Sequence, residues 1–387
     1  TPIGSIGGSL SSLTAPQLGS AAIRAALERA GLPNDADKDA NKVEEVFFGN
    51  VVSAGIGQAP ARQATLGAGL PLSVPCTTIN KVCASGMKAI MMAAQAISTG
   101  HRDVMVAGGM ESMSNIPYYL PGGRNGHRYG HGKVLDGIVH DGLWDVYNDQ
   151  HMGMCAEKCA ADYGISREAQ DAYAIDSYKR AAAAWEAGLF ADEVCAVSVP
   201  QRRGDALVVD RDEEFARINY DKVGKLAPAF KKGGSVTAAN ASSLNDGAAA
   251  MVLMSAARAA ELGATPLARI VGFGDAAQAP EDFTTAPALA LPLALADAGM
   301  AAGDVDYHEI NEAFAVVALA NMQLMGLDAS RVNVNGGAVA LGHPIGCSGA
   351  RIVGTLLSVL KQKDARVGAA SICNGGGGAS SIIVERL

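Results

Sequence analysis

The sequence contains two similar segments that lie far apart in the chain. Residues 83–90 (CASGMKAI) resemble residues 346–353 (GCSGARIV), and in both a Ser-Gly pair precedes a basic residue at the start of a predicted helix. After each helix comes a short apolar strand that ends in glycines, at 104–109 and at 369–376. Elements that occur twice in the same order indicate a duplicated unit, which restricts the folds available to the chain.

An inserted segment separates the two copies. Ser85 and Ser348 are 263 positions apart, which is too far for adjacent copies of a domain of ordinary size. The polar run at 116–240, which contains a helix-like stretch at 166–188, is interpreted as a lid or binding subdomain rather than a third repeat. We therefore divide the chain into a first half of residues 1–115 and 241–264, an inserted loop domain of residues 116–240, and a second half of residues 265–387.

Alternating strands and helices predict the fold class. Strand candidates at 43–48, 249–254 and 382–384 alternate with helical stretches, which places the chain in the α/β class with sheets covered by helices. We expect helix N-termini from the two halves to meet near one pseudo-twofold axis. A functional site is expected at that meeting point.

Charge and cysteine content exclude several classes of function. The chain carries 31 Lys and Arg against 39 Asp and Glu, a net charge of −8, which argues against general affinity for nucleic acid or an anionic membrane. It contains no run of about 18 apolar residues that predicts a membrane-spanning helix. The seven cysteines are odd in number and lack paired Cys-x2-Cys zinc spacing, so they favour a reducing compartment, either the mitochondrial matrix or the cytoplasm.

Cys83 lies where an apolar stretch turns into a helix. The helix is predicted from apolar residues that recur at steps of three and four, namely Met87, Ile90, Met91, Ala94 and Ile97. A thiol at the N-terminal edge of that helix faces the positive end of the helix dipole, which favours the thiolate. The alternative is a buried structural cysteine, because free cysteine packs as a small apolar residue.

Three further segments carry polar groups at strand ends and helix starts. His343 stands among glycines just before a helix, and Cys373 ends a strand before four glycines whose N–H groups are free to point into a cleft. Asn311 opens an apolar helix, either as its cap or as an amide that positions a water or a carbonyl oxygen. Together with Cys83 these residues provide a candidate nucleophile, a base and a second thiol.

These four segments resemble the motifs of the thiolase family, and the likeness extends over essentially the whole chain. The motifs are Asn-x-x-Cys-x-Ser-Gly, Asn-Glu-Ala-Phe, Gly-His-Pro-x-Gly and Cys-Asn-Gly-Gly-Gly-Gly, in this order. Within the family, the chain is most similar to biosynthetic acetoacetyl-CoA thiolases. The resemblance implies a five-layered α-β-α-β-α arrangement of two similar halves, with an inserted loop domain that holds coenzyme A (CoA), and a homotetramer built from two dimers.

The resemblance also implies a reaction, the reversible Claisen condensation of two acetyl-CoA molecules to acetoacetyl-CoA and CoA, with no redox or organic cofactor. Cys83 would carry the acetyl group, His343 would take the Cys83 proton, and Cys373 would deprotonate the second acetyl-CoA. A water held by Asn311, together with His343, would stabilise the enolate. The backbone N–H groups of Cys83 and Gly375 would stabilise the tetrahedral intermediate.

Two binding sites follow from the same resemblance, position by position. The CoA pocket would be lined by Leu143, His151, Met152, Phe230, Ser242, Phe283, Ala313 and Phe314. A potassium ion would be held by Tyr178, Ala238, Ala239, Ala241 and Val339, because a phenol and carbonyl oxygens are suitable hard ligands for an alkali cation.

Substrate range and rival functions depend on other positions. Thr284 follows Phe283, where family members that accept 2-methyl-branched acetoacetyl-CoA carry proline, so we expect the unbranched compound to be the better substrate. A degradative 3-ketoacyl-CoA thiolase of broader chain length and a non-catalytic acyl-CoA-binding relative are the alternatives. A ketosynthase of the fatty-acid type would pair its cysteine with two histidines, whereas this chain has Cys373 at the second position.

Overall fold

The structure is a computed structural model that describes residues 1–32 and 43–387. Within those residues it has fifteen strands and ten α-helices. The strands are β1 (Gly4–Ser5), β2 (Glu45–Gly49), β3 (Cys76–Ile79), β4 (Val104–Ser112), β5 (Tyr118–Tyr119), β6 (Leu135–Asp136), β7 (Trp144–Asp145), β8 (Gln150–His151), β9 (Val197–Val199), β10 (Leu207–Val209), β11 (Asn245–Met254), β12 (Ala268–Ala277), β13 (Tyr307–Ile310), β14 (Val367–Asn374) and β15 (Gly378–Arg386).

The helices are α1 (Ala15–Arg29), α2 (Pro60–Gly67), α3 (Ser85–Ser98), α4 (Met152–Asp162), α5 (Arg167–Glu186), α6 (Ala256–Leu262), α7 (Pro287–Ala298), α8 (Ala315–Met325), α9 (Ala338–Leu341) and α10 (Ile345–Gln362). The helix predicted after Cys83 is α3, and its apolar face is buried through Met87, Ile90 and Met91. The helix-like stretch at 166–188 is α5.

The first large sheet has the order β1-β11-β4-β2-β3. Strands β2, β3 and β4 are parallel, whereas β11 pairs antiparallel with β4 over its length, from Asp246 opposite Ser112 to Met254 opposite Val104. This pairing joins residues 245–254 to a sheet whose other strands all precede residue 113. The second large sheet has the order β12-β15-β14-β13, in which only β13 and β14 are parallel.

Helices cover both sheets and also lie between them. Helices α1 and α2 pack on one face of the first sheet, and α3 and α10 pack on its other face. The same two central helices contact the second sheet, whose outer face is covered by α7. The order of layers is therefore helix, sheet, helix, sheet, helix, which confirms the five-layered α-β-α-β-α prediction.

The two copies of the Ser-Gly segment meet between the sheets. A Cβ atom added to Gly86 would lie 2.8 Å from the backbone nitrogen of Ala350, and one added to Gly349 would lie 2.5 Å from that of Met87. The absence of side chains at both glycines therefore lets the first turns of α3 and α10 touch backbone to backbone. Helix starts from the two halves meet as the duplication predicts.

Between β4 and β11 the chain forms short hairpins, two longer helices and irregular loops. Helices α4 and α5 of this segment both pack against α8 of the second half. Among residues 1–32 and 43–387, no helix is both long and apolar enough to cross a membrane.

Candidate active site

Cys83 lies in a tight turn that leads into α3. It belongs to the apolar cluster that also contains Val52, Ile138 and Ile345, and only 7% of the residue is exposed. The turn is closed by the hydroxyl of Ser85, which donates to the Val82 carbonyl at 2.6 Å and accepts from the Lys81 N–H at 2.8 Å. The thiol therefore has a defined position at the N-terminal edge of the helix.

The sequence predicts that the helix dipole favours a thiolate at Cys83. This prediction is wrong for the protein without substrate. Burial raises the pKa of the Cys83 thiol to about 11, although the backbone N–H groups of Gly375 and of Cys83 itself donate hydrogen bonds to it. Desolvation thus outweighs these two hydrogen bonds, and the resting group is a neutral thiol. The two N–H groups that reach the sulfur are those expected to stabilise a tetrahedral intermediate.

His343 lies between α9 and α10, and one contact holds its backbone while another holds its ring. Its backbone N–H donates to Oδ1 of Asn245 at 2.9 Å, and its Nδ1 atom is 2.5 Å from Oγ of Ser348. Because Ser348 donates its hydroxyl hydrogen to the Pro344 carbonyl at 3.0 Å, its oxygen accepts from Nδ1–H. This arrangement favours the Nδ1–H tautomer and leaves Nε2 as the basic atom. Nε2 is buried and has no hydrogen-bond partner among the described residues.

The imidazole of His343 is neutral in this environment. Burial lowers its pKa to about 3, and the positive charge of Arg351 acts in the same direction. An imidazole that resists protonation in the resting protein accepts a proton only while a thiolate or oxyanion forms beside it.

Asn311 and Cys373 are brought together by parallel strands. Strand β13 ends at Ile310, which is paired with Ser371 of β14, so residues that follow both strands emerge at the same sheet edge. The Asn311 N–H donates to the Ser371 carbonyl at 3.0 Å. Asn311 does not cap the following helix, because α8 begins at Ala315 with Phe314 in the cap position.

The side chains of these two residues are both buried. Both amide atoms of Asn311, Oδ1 and Nδ2, are buried and have no hydrogen-bond partner within residues 1–32 and 43–387. Cys373 is fully buried, and burial raises the pKa of its thiol well above 9.0, with the neighbouring Cys83 acting in the same direction. The unpaired Asn311 amide, the unpaired Nε2 of His343 and the two thiols are groups left free for a ligand or water.

Most of the predicted CoA-pocket residues form one apolar cluster with Cys373. The cluster contains Met152, Phe283, Ala313, Phe314 and Cys373, with Phe230 packed against it. Phe230 stacks on His151 with 4.6 Å between ring centroids and meets Phe314 edge to face at 6.1 Å. Residues that are distant in sequence therefore share one surface.

The other two predicted pocket residues lie at its margins. Ser242 donates through both its N–H and its hydroxyl to the Ala313 carbonyl, at 3.1 and 2.8 Å. Leu143 packs instead against the apolar cluster that contains Cys83. Leu143 is thus on the side of the first thiol, and the aromatic residues are on the side of the second.

Comparison with known proteins decides the family. The family model described as Thiolase, N-terminal domain, matches residues 1–257, and the one described as Thiolase, C-terminal domain, matches residues 264–386. The chain belongs to the thiolase family. The two matched ranges cover nearly the whole of this thiolase.

Named relatives align over the full length of the chain. Acetyl-CoA acetyltransferase 1 of Arabidopsis thaliana is 60% identical over 387 residues, which are 100% of this chain and 92% of that protein. A mitochondrial acetyl-CoA acetyltransferase of Xenopus tropicalis is 58% identical over 100% of this chain and 90% of its own length. A cytosolic acetyl-CoA acetyltransferase of Gibberella zeae is also 58% identical, over 100% of this chain and 96% of its own length.

A solved structure confirms the fold. The crystal structure of a thiolase from Ascaris suum in complex with coenzyme A superposes with a TM-score of 0.94 at 48% identity, covering 100% of this chain and 97% of that one. The five-layered arrangement described above is therefore the thiolase fold.

The predicted potassium ligands of this thiolase lie on neighbouring segments. Tyr178 is on α5 and Val339 is on α9, and these two helices are in contact. The remaining ligands, Ala238, Ala239 and Ala241, flank Asn240, whose side chain donates to Asp171 of α5 at 2.9 Å. Of these three alanines, Ala238 is exposed and the other two are buried.

The surroundings of Tyr178 suit a cation. Burial raises the pKa of its phenol above the ordinary value, and the carboxylates of Glu214 and Glu312 act in the same direction. The phenol is therefore a neutral oxygen donor next to negative charge, and the residues present fit an alkali ion. In the described residues, no group of three or more His, Cys, Asp and Glu side chains is arranged to hold a metal ion.

The sequence analysis did not identify two buried carboxylates that accept hydrogen bonds from the segments around the site. Glu312 follows Asn311 and accepts from Tyr173 and Ser177 of α5, both at 2.8 Å, and from the Val339 N–H at 3.0 Å. A carboxylate that accepts from two other segments fixes the backbone beside Asn311. The available signal was an acidic residue in a buried motif, which requires donors wherever it is placed.

The second carboxylate, Glu111, bridges the two halves at the start of α10. It accepts at 3.0 Å from the N–H groups of Val51 and Gly346 and from the side chain of Asn50. Burial raises the pKa of Glu111 to about 7 in spite of these bonds. Its contact with Gly346 holds the first turn of α10, which carries Ser348.

Proposed function

We propose that this thiolase is an acetyl-CoA acetyltransferase that condenses two acetyl-CoA molecules reversibly to acetoacetyl-CoA and CoA through an acetyl group on Cys83. The observation that carries the proposal is the pair of N–H groups, from Cys83 and Gly375, that converge on the Cys83 thiol. The buried Nε2 of His343, which has no hydrogen-bond partner among the described residues, supports it as the base. Full-length relatives that are named acetyl-CoA acetyltransferase support the same assignment.

The first half-reaction transfers acetyl to Cys83. Sγ attacks the thioester carbonyl while Nε2 of His343 takes the thiol proton, and the carbonyl oxygen becomes an oxyanion that accepts from the N–H groups of Cys83 and Gly375. When the intermediate collapses, the CoA thiolate leaves and takes the proton back from His343. Loss of one such donor typically costs about 10²–10³ in rate.

The second half-reaction forms the carbon–carbon bond. Cys373 first gives its proton to His343, and its thiolate then removes a proton from the methyl carbon of the second acetyl-CoA. The enolate oxygen accepts from His343 Nε2–H and from a water held by Asn311. The enolate carbon attacks the acetyl group on Cys83, and the expelled Cys83 thiolate recovers its proton from His343, so that all protons balance.

Acyl-enzyme trapping tests this assignment. The protein is quenched in acid after exposure to labelled acetyl-CoA, digested, and the labelled peptide is identified by mass. We expect the label on Cys83 in the wild type and in Cys373→Ala, no label in Cys83→Ala, and an unchanged label in the control Cys347→Ala, which removes another buried thiol. A label on any other residue refutes the mechanism.

The residues that contact CoA and the preferred acyl chain length of the substrate are part of the same proposal. The coenzyme would lie against His151, Met152, Phe230, Phe283 and Phe314, with Leu143, Ser242 and Ala313 beside it. A CoA complex of the Ascaris suum relative supports binding of this coenzyme. Assays of thiolysis with acetoacetyl-CoA and with longer 3-ketoacyl-CoA compounds separate the proposed function from that of a degradative thiolase, which would favour the longer substrates.

We also propose that potassium binds at Tyr178 and the carbonyls of Ala238, Ala239, Ala241 and Val339. When bound, the ion would order the two segments that flank the aromatic part of the CoA pocket. The expected result is a higher melting temperature in KCl than in NaCl of equal concentration, and loss of that difference in Tyr178→Phe. Equal melting temperatures in both salts would refute the site.

Assembly and domain division are further parts of the proposal. Residues 116–240 would form the inserted domain and would pair dimers into a homotetramer. Large exposed apolar side chains in this segment, namely Tyr118, Leu120, Tyr129 and Val134, support a contact surface there. Sedimentation velocity distinguishes a tetramer from a dimer.

The relatives include cytosolic and mitochondrial proteins, and we expect this chain in one of those two compartments.

A further inference from the structure

The residue before Cys83 has a strained backbone. Val82 has a φ of +48°, and it is the only β-branched residue with positive φ in the described parts of the chain. A branched Cβ is rarely accommodated in the left-handed region, so this conformation persists only where the surroundings impose it. The strain lies one peptide bond from the thiol.

Apart from the bond between the Gly375 N–H and the Cys83 sulfur, the hydrogen bonds described for this turn connect it to the first half. The Val82 N–H donates to Oδ1 of Asn80 at 3.0 Å, and the Asn80 side chain donates to the Val51 carbonyl at 3.1 Å. The Ser85 hydroxyl closes the turn on α3. None of these bonds holds the turn against Gly375, which belongs to the second half.

Lys81 connects the turn to the second half. Its ammonium group forms an ion pair with Asp275 of β12 and donates to Oγ of Ser380 at 2.7 Å and to the Ala379 carbonyl at 3.3 Å, both on β15. The residue that precedes the strained position is therefore tied at three points to the sheet that carries Cys373 and Gly375.

Asp275 is the centre of this network. Besides Lys81 it accepts from Nζ of Lys88 and from Oγ of Ser380, each at 2.6 Å. Burial opposes ionisation of Asp275, but the hydrogen bonds from Lys81, Lys88 and Ser380 outweigh it and lower the pKa of the carboxyl to about 2. Networks of several charges hold their geometry better than isolated surface pairs, whose net effect is small.

We propose that Asp275 is a positioning residue that holds the Val82 turn in its strained conformation through Lys81, and so aims the Cys83 thiol at the acyl carbon. The inference rests on Cys83 as the nucleophile, as proposed above. Asp275 touches no reacting atom, so its effect must appear in the reactivity of the Cys83 thiol.

The test measures the turn directly and independently of turnover. The rate of alkylation of Cys83 by iodoacetamide at pH 8, followed by peptide mass, reports the thiol without any thiolase reaction. We expect Asp275→Asn and Lys81→Met to lower this rate and kcat by about tenfold each, with KM for acetyl-CoA unchanged. If Cys83 is not the acetylated residue, kcat no longer reports on the position of the Cys83 thiol. The alkylation rates still report on the turn in that case.

Relief of the strain provides the decisive comparison. Glycine adopts positive φ without cost, so Val82→Gly should remove the need for the network. Asp275→Asn introduced into Val82→Gly should therefore change the alkylation rate by less than about twofold, in contrast to its tenfold effect in the wild type. A tenfold loss in both backgrounds overturns the proposal.

Two further variants complete the design. Lys361→Met removes a comparable lysine–aspartate pair, formed with Asp192 at 2.6 Å on the exposed surface, and should leave the alkylation rate unchanged. If Asp275→Asn fails to fold, Ser380→Ala removes a single acceptor of Lys81 and should lower the rate by about threefold. Wild-type reactivity in folded Lys81→Met and Ser380→Ala overturns the proposal.

Discussion

The hydroxyl oxygen of Ser348 lies 2.5 Å from Nδ1 of His343, within the first turn of α10. This contact determines which nitrogen of the imidazole carries the hydrogen, and therefore which nitrogen is the base. The serine belongs to the second copy of the Ser-Gly segment. The first copy uses its serine differently, because Ser85 closes the turn around Cys83. Two equivalent positions of a duplicated unit thus support the base and the nucleophile.

Ser348→Ala should therefore reduce catalysis without removing a group that touches substrate. Without the hydroxyl, both tautomers of His343 become accessible, and one of them has no lone pair on Nε2. We expect kcat for thiolysis of acetoacetyl-CoA to fall by about tenfold, less than the 10²–10⁴-fold of a complete general base, with KM unchanged. Ser348→Thr, which keeps the hydroxyl, should restore activity.

Ser358→Ala is a matched control for that experiment. Ser358 is also buried on α10 and donates to the carbonyl four residues earlier, Gly354, as Ser348 does to Pro344. Its removal changes packing and a local hydrogen bond but not His343. An equal loss of kcat in the two alanine variants would contradict a role of Ser348 in selecting the tautomer.

The pH dependence of Cys83 reactivity follows from the directions of the two pKa shifts. Burial raises the pKa of Cys83 to about 11 and lowers that of His343 to about 3, so the pair is neutral between these values. The thiolate fraction then increases about tenfold for each pH unit between 7 and 9. Alkylation of Cys83 by iodoacetamide should increase in proportion, and a plateau near pH 7 would indicate an ion pair instead. Cys83→Ala corrects for the other thiols.

The fold was accessible from the sequence because its determinants are local or repeated. The apolar spacing from Met87 to Ile97 predicts α3, and the two Ser-Gly segments predict that helix N-termini from the two halves meet. Both features are observed, and so is the order of the five layers. The glycines that permit the contact, Gly86 and Gly349, are part of the repeated motif itself.

The protonation states and hydrogen bonds of the site without substrate could not be predicted from the sequence in the same way. The helix dipole at Cys83 can be inferred from sequence, but its desolvation depends on Ile138 and Ile345, which are brought there by the fold. Of the two alternatives for Asn311, the helix cap is not observed, because the motif continues as an extended loop until Ala315. The Ser348 hydroxyl was visible in sequence, but its acceptance of a hydrogen bond from His343 depends on the orientation of a ring.

Phe230→Ala should weaken CoA binding more than it affects catalysis. The ring of Phe230 stacks on His151 and meets Phe314, and no polar atom of the reaction depends on it. Loss of an aromatic contact of this size is expected to raise KM for acetyl-CoA about tenfold with little change in kcat. Phe215→Ala removes a comparable ring, stacked on Trp185 at 6.2 Å, and should lower stability without changing KM. An equal rise of KM in both variants would contradict the assignment.

Branched substrates should be poor for this thiolase. Thr284 is buried, and its carbonyl accepts from the side chain of Asn321 at 2.8 Å, which fixes the turn after Phe283. We expect kcat/KM for 2-methylacetoacetyl-CoA to be lower than for acetoacetyl-CoA, and Thr284→Pro to reduce the difference. Comparable values for the two substrates in the wild type would refute the expectation.

The buried carboxyl of Glu309 should make stability fall as pH rises. In the part of the chain that the structure describes, neither of its oxygens has a hydrogen-bond partner, and it forms an ion pair with Arg351 at 3.7 Å. Burial raises the pKa of Glu309 from its ordinary value of 4.5 to about 8, although Arg351 opposes this shift. The folded state therefore binds more protons than the unfolded state between these values, so its contribution to stability is lost as pH rises through that window.

Glu309→Gln cannot titrate, so its melting temperature should decline less steeply than that of the wild type between pH 5 and pH 8. The decline should not vanish, because burial also raises the pKa of Glu193, to about 7. His308 and His343 are present in both proteins. Their contribution to stability, which rises with pH at lower pH, therefore cancels in the difference between the two melting-temperature curves. Glu28→Gln, at an exposed position of α1, should give a curve parallel to the wild type. Parallel curves for Glu309→Gln as well would show that Glu309 is ionised throughout, held by Arg351 rather than by a proton.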